Sequence, residues 1–416
     1  MVKTLSVYLL GKLAGHLTQD LNSQLSFQYA SAYLEHPGHL PLSYSMPLRT
    51  EPYTNPECRG YFSGLLPEGE VRTVVARNLG ISAGNDFSML NAIGGECAGA
   101  VSFVPPDIHL TEEEDQYQII TEDELAMLIT SLPERPLLAG KTGIRLSLAG
   151  AQEKIALTIR EDEIAIPLGS SPSTHIIKPD LSRFPGIIYN EAICMQLARS
   201  IGLTTAEAHI RHAGEVPYLL VTRYDRRDAG DKEYSVARLH QEDFCQAMGI
   251  VSDRKYQQEG GPSLVDCFHL IREVSSVSAL DLQQFLDAVI FNYCIGNHDA
   301  HAKNFSLLYT PNDSGGHQVR LAPLYDLIST AYYPALSAQM AMAIGDKYIA
   351  NEVLPLHFEQ MARRAGFSPA LVKARIKTLA NLILRHLPEV ASDTPASGDL
   401  EDYISARVRE VLRKMG

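Results

Sequence analysis

The 416-residue chain is 45% hydrophobic and 20% charged, the balance of a globular protein long enough to bury a core without disulfide staples. Its formal net charge of −13 repels phosphate backbones, so composition gives no support for nucleic-acid binding by this chain alone. The six cysteines are scattered and form no CxxC pair, which argues against a zinc cluster and a secreted disulfide framework and fits a reducing cytoplasm.

The apolar run Leu5–Leu10 is short and soon interrupted by Lys12, unlike a signal peptide, and no stretch has the length to cross a bilayer. A soluble, cytoplasmic protein without membrane partners is expected. Leu5–Leu10, Leu25–Tyr29 and Ala100–Val104 read as strands, separated by turn-rich stretches at His36–Pro41 and Arg49–Gly60, with a helix over Glu68–Asn78. Pro105–Gln116 opens on two prolines and continues acidic, which marks a boundary after a β-rich unit, 1–105. A helix over Glu122–Ser131 follows, with the cap-like Thr121 and a glutamate at Glu124. Gly143–Gln152 is rich in small residues and reads as a loop. Lys154–Ile159 and Glu163–Pro167 form a hairpin around the charged turn Arg160–Asp162, and a short strand covers His175–Lys178.

An amphipathic helix spans Ile187–Ile201 and stops at Gly202, and a strand over Tyr218–Tyr224 leads into the polar stretch Asp225–Lys232. These elements form a mixed segment, 106–235. The remainder, 236–416, is mostly helical, with candidates at Gln241–Met248, Leu264–Val274, Leu280–Cys294, Leu354–Ala365, Ala370–His386 and Asp399–Lys414. Strands first, then a mixed segment, then helices is an α+β order.

The most informative stretch is GNHDAHAKNF at Gly296–Phe305. It sets Asp299 and Asn304 five residues apart, between an apolar helix and the strand-like Phe305–Tyr309. Phosphoryl transfer needs a carboxylate to accept the proton of the attacking hydroxyl, and oxygen ligands for magnesium beside the phosphate. The kinase catalytic loop supplies both as HRDxxxxN. Here the spacing matches and the arginine is absent. Asp326 ends the apolar run in LAPLYDLIS, where a second metal-binding carboxylate belongs. Lys178 closes the strand of THIIK, as does the strand lysine that contacts the α- and β-phosphates. Glu191, in the next helix, either pairs with that lysine or is a charge at a helix start.

His298 and His301 with Asp299 make HDxH, an alternative that would hold a transition metal in a hydrolase, with His317 or Asp326 as further ligands. The fragment AGKTG at Ala139–Gly143 lacks the earlier glycine of a phosphate loop, because that place is Arg135. Gly94–Gly99 does not fit GxGxxG in register, and no GxSxG elbow is present.

Taken together, SLAGAQEK at Ser147–Lys154, THIIKPD at Thr174–Asp180 and GNHDAHAKNFS at Gly296–Ser306 resemble the HipA family, the kinase toxins of toxin–antitoxin systems. GLLPEG at Gly64–Gly69, RLHQEDFCQAMG at Arg238–Gly249 and KYQQEGGPS at Lys255–Ser263 add to the resemblance, which runs from about residue 5 to 390. It implies a kinase-like fold with an N-terminal β-rich subdomain and a large α-helical C-terminal lobe. It implies an ATP- and Mg2+-dependent serine/threonine kinase in which Asp299 is the base, Asn304 and Asp326 hold magnesium, and Lys178 contacts phosphates. Thr222 and Tyr224 would meet adenine through their backbone, and Gly150, Ala151 and Gln152 would lie near the nucleotide.

Ser147 matches a serine that is autophosphorylated in the family, ejecting its loop and silencing the enzyme. The implied partners are a HipB-like DNA-binding antitoxin, operator DNA in the toxin–antitoxin complex, and a protein substrate in translation such as glutamyl-tRNA synthetase. His298 stands where the commonest family loop carries threonine. A small-molecule kinase and a non-catalytic binding module are the competing readings.

Overall fold

The computed structural model describes residues 2–105, 115–160, 163–229, 236–312, 315–392, 394 and 398–416. Most of the expected boundary segment Pro105–Gln116, the tip of the turn Arg160–Asp162 and the end of Asp225–Lys232 lie outside the described residues. The chain divides into two compact units, each built from separate stretches. The first holds Met1–Pro179, Arg211–Ser252 and Leu308–Gln318; the second holds Asp180–Ile210, Asp253–Leu307 and Val319–Gly416. Helices and strands are mixed as expected.

The first unit opens with a four-stranded antiparallel sheet in the order Leu25–Tyr29, Lys12–Gln19, Lys3–Leu9, Val101–Val104. Lys12–Gln19 was not expected as a strand. It is one because Leu10 and Gly11, both at positive φ, close a two-residue hairpin that lays it on Lys3–Leu9. Phe27, Phe62 and Phe103 pack behind the sheet, Phe62 lying 5.6 Å from Phe27 and 5.9 Å from Phe103, ring centre to ring centre.

Phe62 belongs to a helix, Asn55–Gly64, in place of the second half of the expected turn-rich stretch. The start signal was local: Thr54 caps the helix, Pro56 sits in its first turn, and Glu57 returns its carboxylate to the Thr54 N–H at 2.7 Å. The helix Gly69–Leu79 falls one residue from its expected place, and Asp86–Ile93 adds a helix that the sequence reading left out.

A second sheet runs Tyr117–Ile120, Glu163–Pro167, Ile155–Arg160, His175–Pro179, Val216–Thr222, Ala208–Ala213. Gln241–Met248, expected as one helix, is a strand His240–Asp243 followed by a single helical turn Phe244–Ala247. Long-range partners explain the difference. His240 bonds the Leu42 carbonyl, and Glu242 accepts from Ser43 and the Tyr44 N–H, which pins the first residues in an extended form. Asp243 then caps the turn by accepting from the Gln246 N–H at 2.9 Å.

The second unit is helical, with Ile187–Ser200, Leu264–Val274, Ser278–Ile295, Pro355–Arg364, Pro369–Ser392 and Gly398–Met415. Ser278–Ile295 is its axis: every residue from Phe285 to Ile295 is buried, as expected of a helix covered on all sides. Phe268 and Phe305 pack edge-on against Phe285 at 4.8 and 4.9 Å. The buried Asp287 on this helix is matched by Arg375, two nitrogens of which reach its carboxylate at 2.5 and 2.7 Å. No helix among the described residues is long and apolar enough to cross a membrane.

Candidate active site

The axial helix ends at Gly296, whose φ of 77° reverses the chain. The loop that follows is held by its own hydrogen bonds. Asn297, nearly buried, donates its side-chain nitrogen to the Asn292 side-chain oxygen at 2.9 Å and to the Asp326 carbonyl at 3.4 Å. Its side-chain oxygen accepts from the Asp299 N–H at 3.2 Å. Asn297 thus links the segments that carry Asp299 and Asp326. Asp299 receives the Tyr256 hydroxyl on Oδ1 at 2.9 Å. Asn304 donates its side-chain nitrogen to the Asp299 carbonyl at 3.1 Å, which leaves its oxygen as the atom able to ligate a cation.

Asp326 has a φ of 57°, a left-handed conformation that costs a non-glycine residue roughly 1–3 kcal/mol and is found where structure over-determines it. Asn190, on the helix Ile187–Ser200, supplies part of that constraint. It donates to the Ser329 carbonyl at 3.1 Å and accepts from the Ser329 N–H at 2.8 Å. The neighbouring Glu191 is buried at 1% exposure and stands beyond the first turn of the helix Ile187–Ser200. The Tyr325 hydroxyl donates to the Lys303 carbonyl at 2.8 Å, a second tie between the Asp326 segment and the loop.

The histidines of the loop shape it. The His298 N–H donates to Thr330 Oγ1 at 2.7 Å and its carbonyl accepts from the Ala341 N–H at 2.7 Å. Burial, and then the charge of Arg407, lower its proton affinity and favour the neutral ring. Among the described residues no three His, Cys, Asp or Glu side chains group to hold a metal ion, so the histidine-metal alternative lacks a ligand cluster.

The other expected site residues lie in the first unit. Lys178 is buried on the strand His175–Pro179, opposite Leu219, and Thr222 pairs with His175 in the same ladder. Tyr224 follows the strand and donates its hydroxyl to Gln241. Between them, Arg223 anchors the turn by spanning Glu96 at 3.0 Å and Asp225 at 2.8 Å. Glu96 also takes Arg226 at 2.7 Å and Arg238 at 2.6 Å. Burial opposes ionisation of Glu96, but Arg226, Arg238 and Arg223 outweigh it and hold the carboxylate charged, well below the usual carboxylate range.

The same residue reaches the serine loop through its backbone, since the Ser147 N–H donates to the Glu96 carbonyl at 2.8 Å. Ser147 is fully buried, and its hydroxyl donates to the Leu65 carbonyl at 2.8 Å. The Glu68 N–H donates to the Gly150 carbonyl at 3.0 Å. Gly150 itself has a φ of 108°, and a Cβ there would stand 2.8 Å from Lys154 Nζ. Gln152 Nε2 is shielded from solvent and has no hydrogen-bond partner among the described residues, a donor available to an acceptor such as a phosphate oxygen.

Tyr256, Asn297, Asn190 and Glu96 had no expected role. Tyr256 falls inside KYQQEGGPS, Asn297 inside GNHDAHAKNF and Glu96 inside GGECAG, stretches already singled out; nothing local marked Asn190.

Residues 5–104 match the HipA N-terminal domain, and residues 146–387 match the HipA-like C-terminal domain. The chain belongs to the HipA kinase family. The Sinorhizobium fredii protein Y4mE is 44% identical over 398 residues, covering 94% of this chain and 93% of that one. The serine/threonine-protein kinase toxin HipA of Shewanella oneidensis is 30% identical over 420 residues, covering 98% and 94%. A chain of the solved Shewanella oneidensis complex of HipA, HipB and operator DNA superposes with a TM-score of 0.85 at 28% identity. That match covers 99% of this chain and 98% of that one.

Proposed function

We propose that this HipA-family kinase transfers the γ-phosphoryl group of ATP to a serine or threonine hydroxyl of a protein, with Asp299 as the base. The hydroxyl proton moves to the Asp299 carboxylate as the oxygen bonds to the γ-phosphorus and the bond from that phosphorus to the ADP oxygen breaks. The observation that carries the reading is the Asn304–Asp299 hydrogen bond, which closes the DxxxxN stretch into one loop while Tyr256 fixes the carboxylate. Asn304 and Asp326 offer an all-oxygen donor set, which suits a hard cation such as Mg2+. Bound there, magnesium would neutralise charge building on the phosphate oxygens.

Lys178 contacts the phosphates in this proposal, Gly150, Ala151 and Gln152 line them, and Thr222 and Tyr224 meet adenine through their backbone. Residues 1–105 form an N-terminal subdomain, 106–235 the nucleotide-binding segment and 236–416 the catalytic segment. Ser147 is the site of self-inactivation. Its buried, occupied hydroxyl supports a loop that must leave its seat to react, and a phosphoserine carrying about −1.5 to −2 charges could not return to a buried seat that faces the Leu65 carbonyl. By family analogy, a HipB-like antitoxin holds the kinase, the pair binds operator DNA, and the substrate is a cytoplasmic protein of translation.

Incubation with γ-labelled ATP and Mg2+, followed by phosphosite mapping, tests the proposal. Label at Ser147 in wild type and none in Asp299→Asn is the expected result. Label in both, or none in folded wild type that begins unphosphorylated, overturns it.

A further inference from the structure

The C-terminal helix Gly398–Met415 lies beyond the residues matched by the HipA-like C-terminal domain, yet it is tied to both segments of the candidate active site. Tyr403 and Arg407 stand four residues apart, on one face of the helix. The Tyr403 hydroxyl donates to the Ala331 carbonyl at 2.7 Å, five residues after Asp326. Arg407 donates to the Tyr293 carbonyl at 3.2 Å, in the last turn of the axial helix and six residues before Asp299. Between these anchor points the Ala331 N–H donates to the Gly296 carbonyl at 2.9 Å, joining the two segments directly.

Gly296 permits the close approach. A Cβ there would stand 2.7 Å from Arg407 Nε and 3.0 Å from the Ala331 Cβ. The Tyr403 ring also packs edge-on against Tyr332 at 5.8 Å. Tyr293 lies in the last turn of the axial helix and Ala331 in the single 3-10 turn Thr330–Tyr332, places where carbonyls run out of intrahelical donors and take side-chain ones.

We infer that Tyr403 and Arg407 are positioning residues, a two-point clamp that sets the separation of Asp299 and Asn304 from Asp326. The inference rests on the proposed roles of those three residues, which the clamp never touches. Because the clamp acts on the spacing of two ligand-bearing segments, loosening it should weaken metal use as well as slow turnover. A helix that served stability alone would lower the folded fraction and leave the metal requirement of the remaining enzyme where it was.

The test uses the full chain with Tyr403→Phe, which keeps the ring and removes the hydroxyl, and with Arg407→Ala. The first readout is hydrogen exchange of residues 297–304 and 326–331 in protein free of nucleotide and metal. Exchange about fivefold faster than wild type in both variants, with the helix Leu264–Val274 unchanged, is expected for the loss of one hydrogen bond. The second readout is the Mg2+ dependence of Ser147 phosphorylation. The half-saturating Mg2+ should rise several-fold and the first-order rate constant of Ser147 phosphorylation at saturating ATP should fall about tenfold or more, as sub-ångström misplacement produces, with the half-saturating ATP within about twofold.

Wild-type exchange and wild-type Mg2+ dependence in folded Tyr403→Phe would overturn the clamp, even where Arg407→Ala fails to fold. If wild type itself transfers no phosphate, the kinase reading falls, and the exchange experiment alone decides the clamp.

Discussion

Asn304 donates its side-chain amide to the backbone carbonyl of Asp299 at 3.1 Å, so the proposed base and a proposed metal ligand move as one loop. Replacement of Asn304 by alanine removes the internal tie and the ligating oxygen together. The expected loss in the rate constant of Ser147 phosphorylation is about a hundredfold or more, the scale of removing a transition-state charge stabiliser. Asn304→Asp keeps an oxygen and should retain more activity than alanine. A side-by-side assay of Ser147 phosphorylation in the two variants checks the order.

Tyr256 sits 43 residues before Asp299 and hydrogen-bonds its carboxylate. In Tyr256→Phe the ring remains to pack edge-on against His301, and only the hydroxyl is lost. The rate of phosphoryl transfer should drop by roughly tenfold to a hundredfold, the worth of one hydrogen bond to a charged group, while KM for ATP holds. An unchanged rate would remove Tyr256 from the proposed mechanism.

The seat of Ser147 predicts a measurable change that needs no catalysis. In an Asp299→Asn background, Ser147→Ala deletes the donor to the Leu65 carbonyl and leaves that carbonyl buried without its partner. Amides of 146–151 should exchange about five- to tenfold faster, corresponding to roughly 1 kcal/mol, with the strand Ile155–Arg160 unaltered. Equal protection in the two proteins would show that the hydroxyl does not hold the loop.

Two buried groups on the strand His240–Asp243 oppose each other in their response to pH. Burial raises Glu242 from 4.5 to about 7, against the donors Ser43, Tyr309 and the Tyr44 N–H. The folded state keeps that proton between pH 4.5 and 7 while the unfolded chain releases it, so this contribution to stability is full below 4.5 and lost as pH rises through the window. Burial lowers His240 from 6.5 to about 4, so its contribution is present above 6.5 and lost as pH falls toward 4. In Glu242→Gln only the histidine slope remains. Denaturant melts should show the variant gaining about 2 to 3 kcal/mol more than wild type between pH 4.5 and 6.5.

Glu96 pairs with Arg223, Arg226 and Arg238 in a cluster in which Asp225 also pairs with Arg223 and Arg226. Glu96→Gln leaves the guanidinium charges under-compensated in a dry interior, and a loss of about 3 to 5 kcal/mol in unfolding free energy is expected. The change in denaturant midpoint measures it. A shift of less than about 1 kcal/mol would mean that the cluster is not a stabilising unit.

Chemistry written within one short run of chain was legible in the order of residues. The five-residue step from Asp299 to Asn304 places both in a single loop, and Thr121 with Glu124 caps a helix within one turn. Apolar spacing located the long helices, because a helix repeats every 3.6 residues whatever it packs against. The tertiary structure decided everything that depends on a distant partner. Ser147 is buried by a carbonyl 82 residues upstream, and Arg407 reaches a carbonyl 114 residues away. His240–Asp243 is extended because residues about 200 positions earlier occupy its polar groups. A hydrogen bond to a backbone carbonyl asks nothing of the acceptor's side chain, so Leu65, Tyr293 and Ala331 carry no mark in the sequence of the work their carbonyls do.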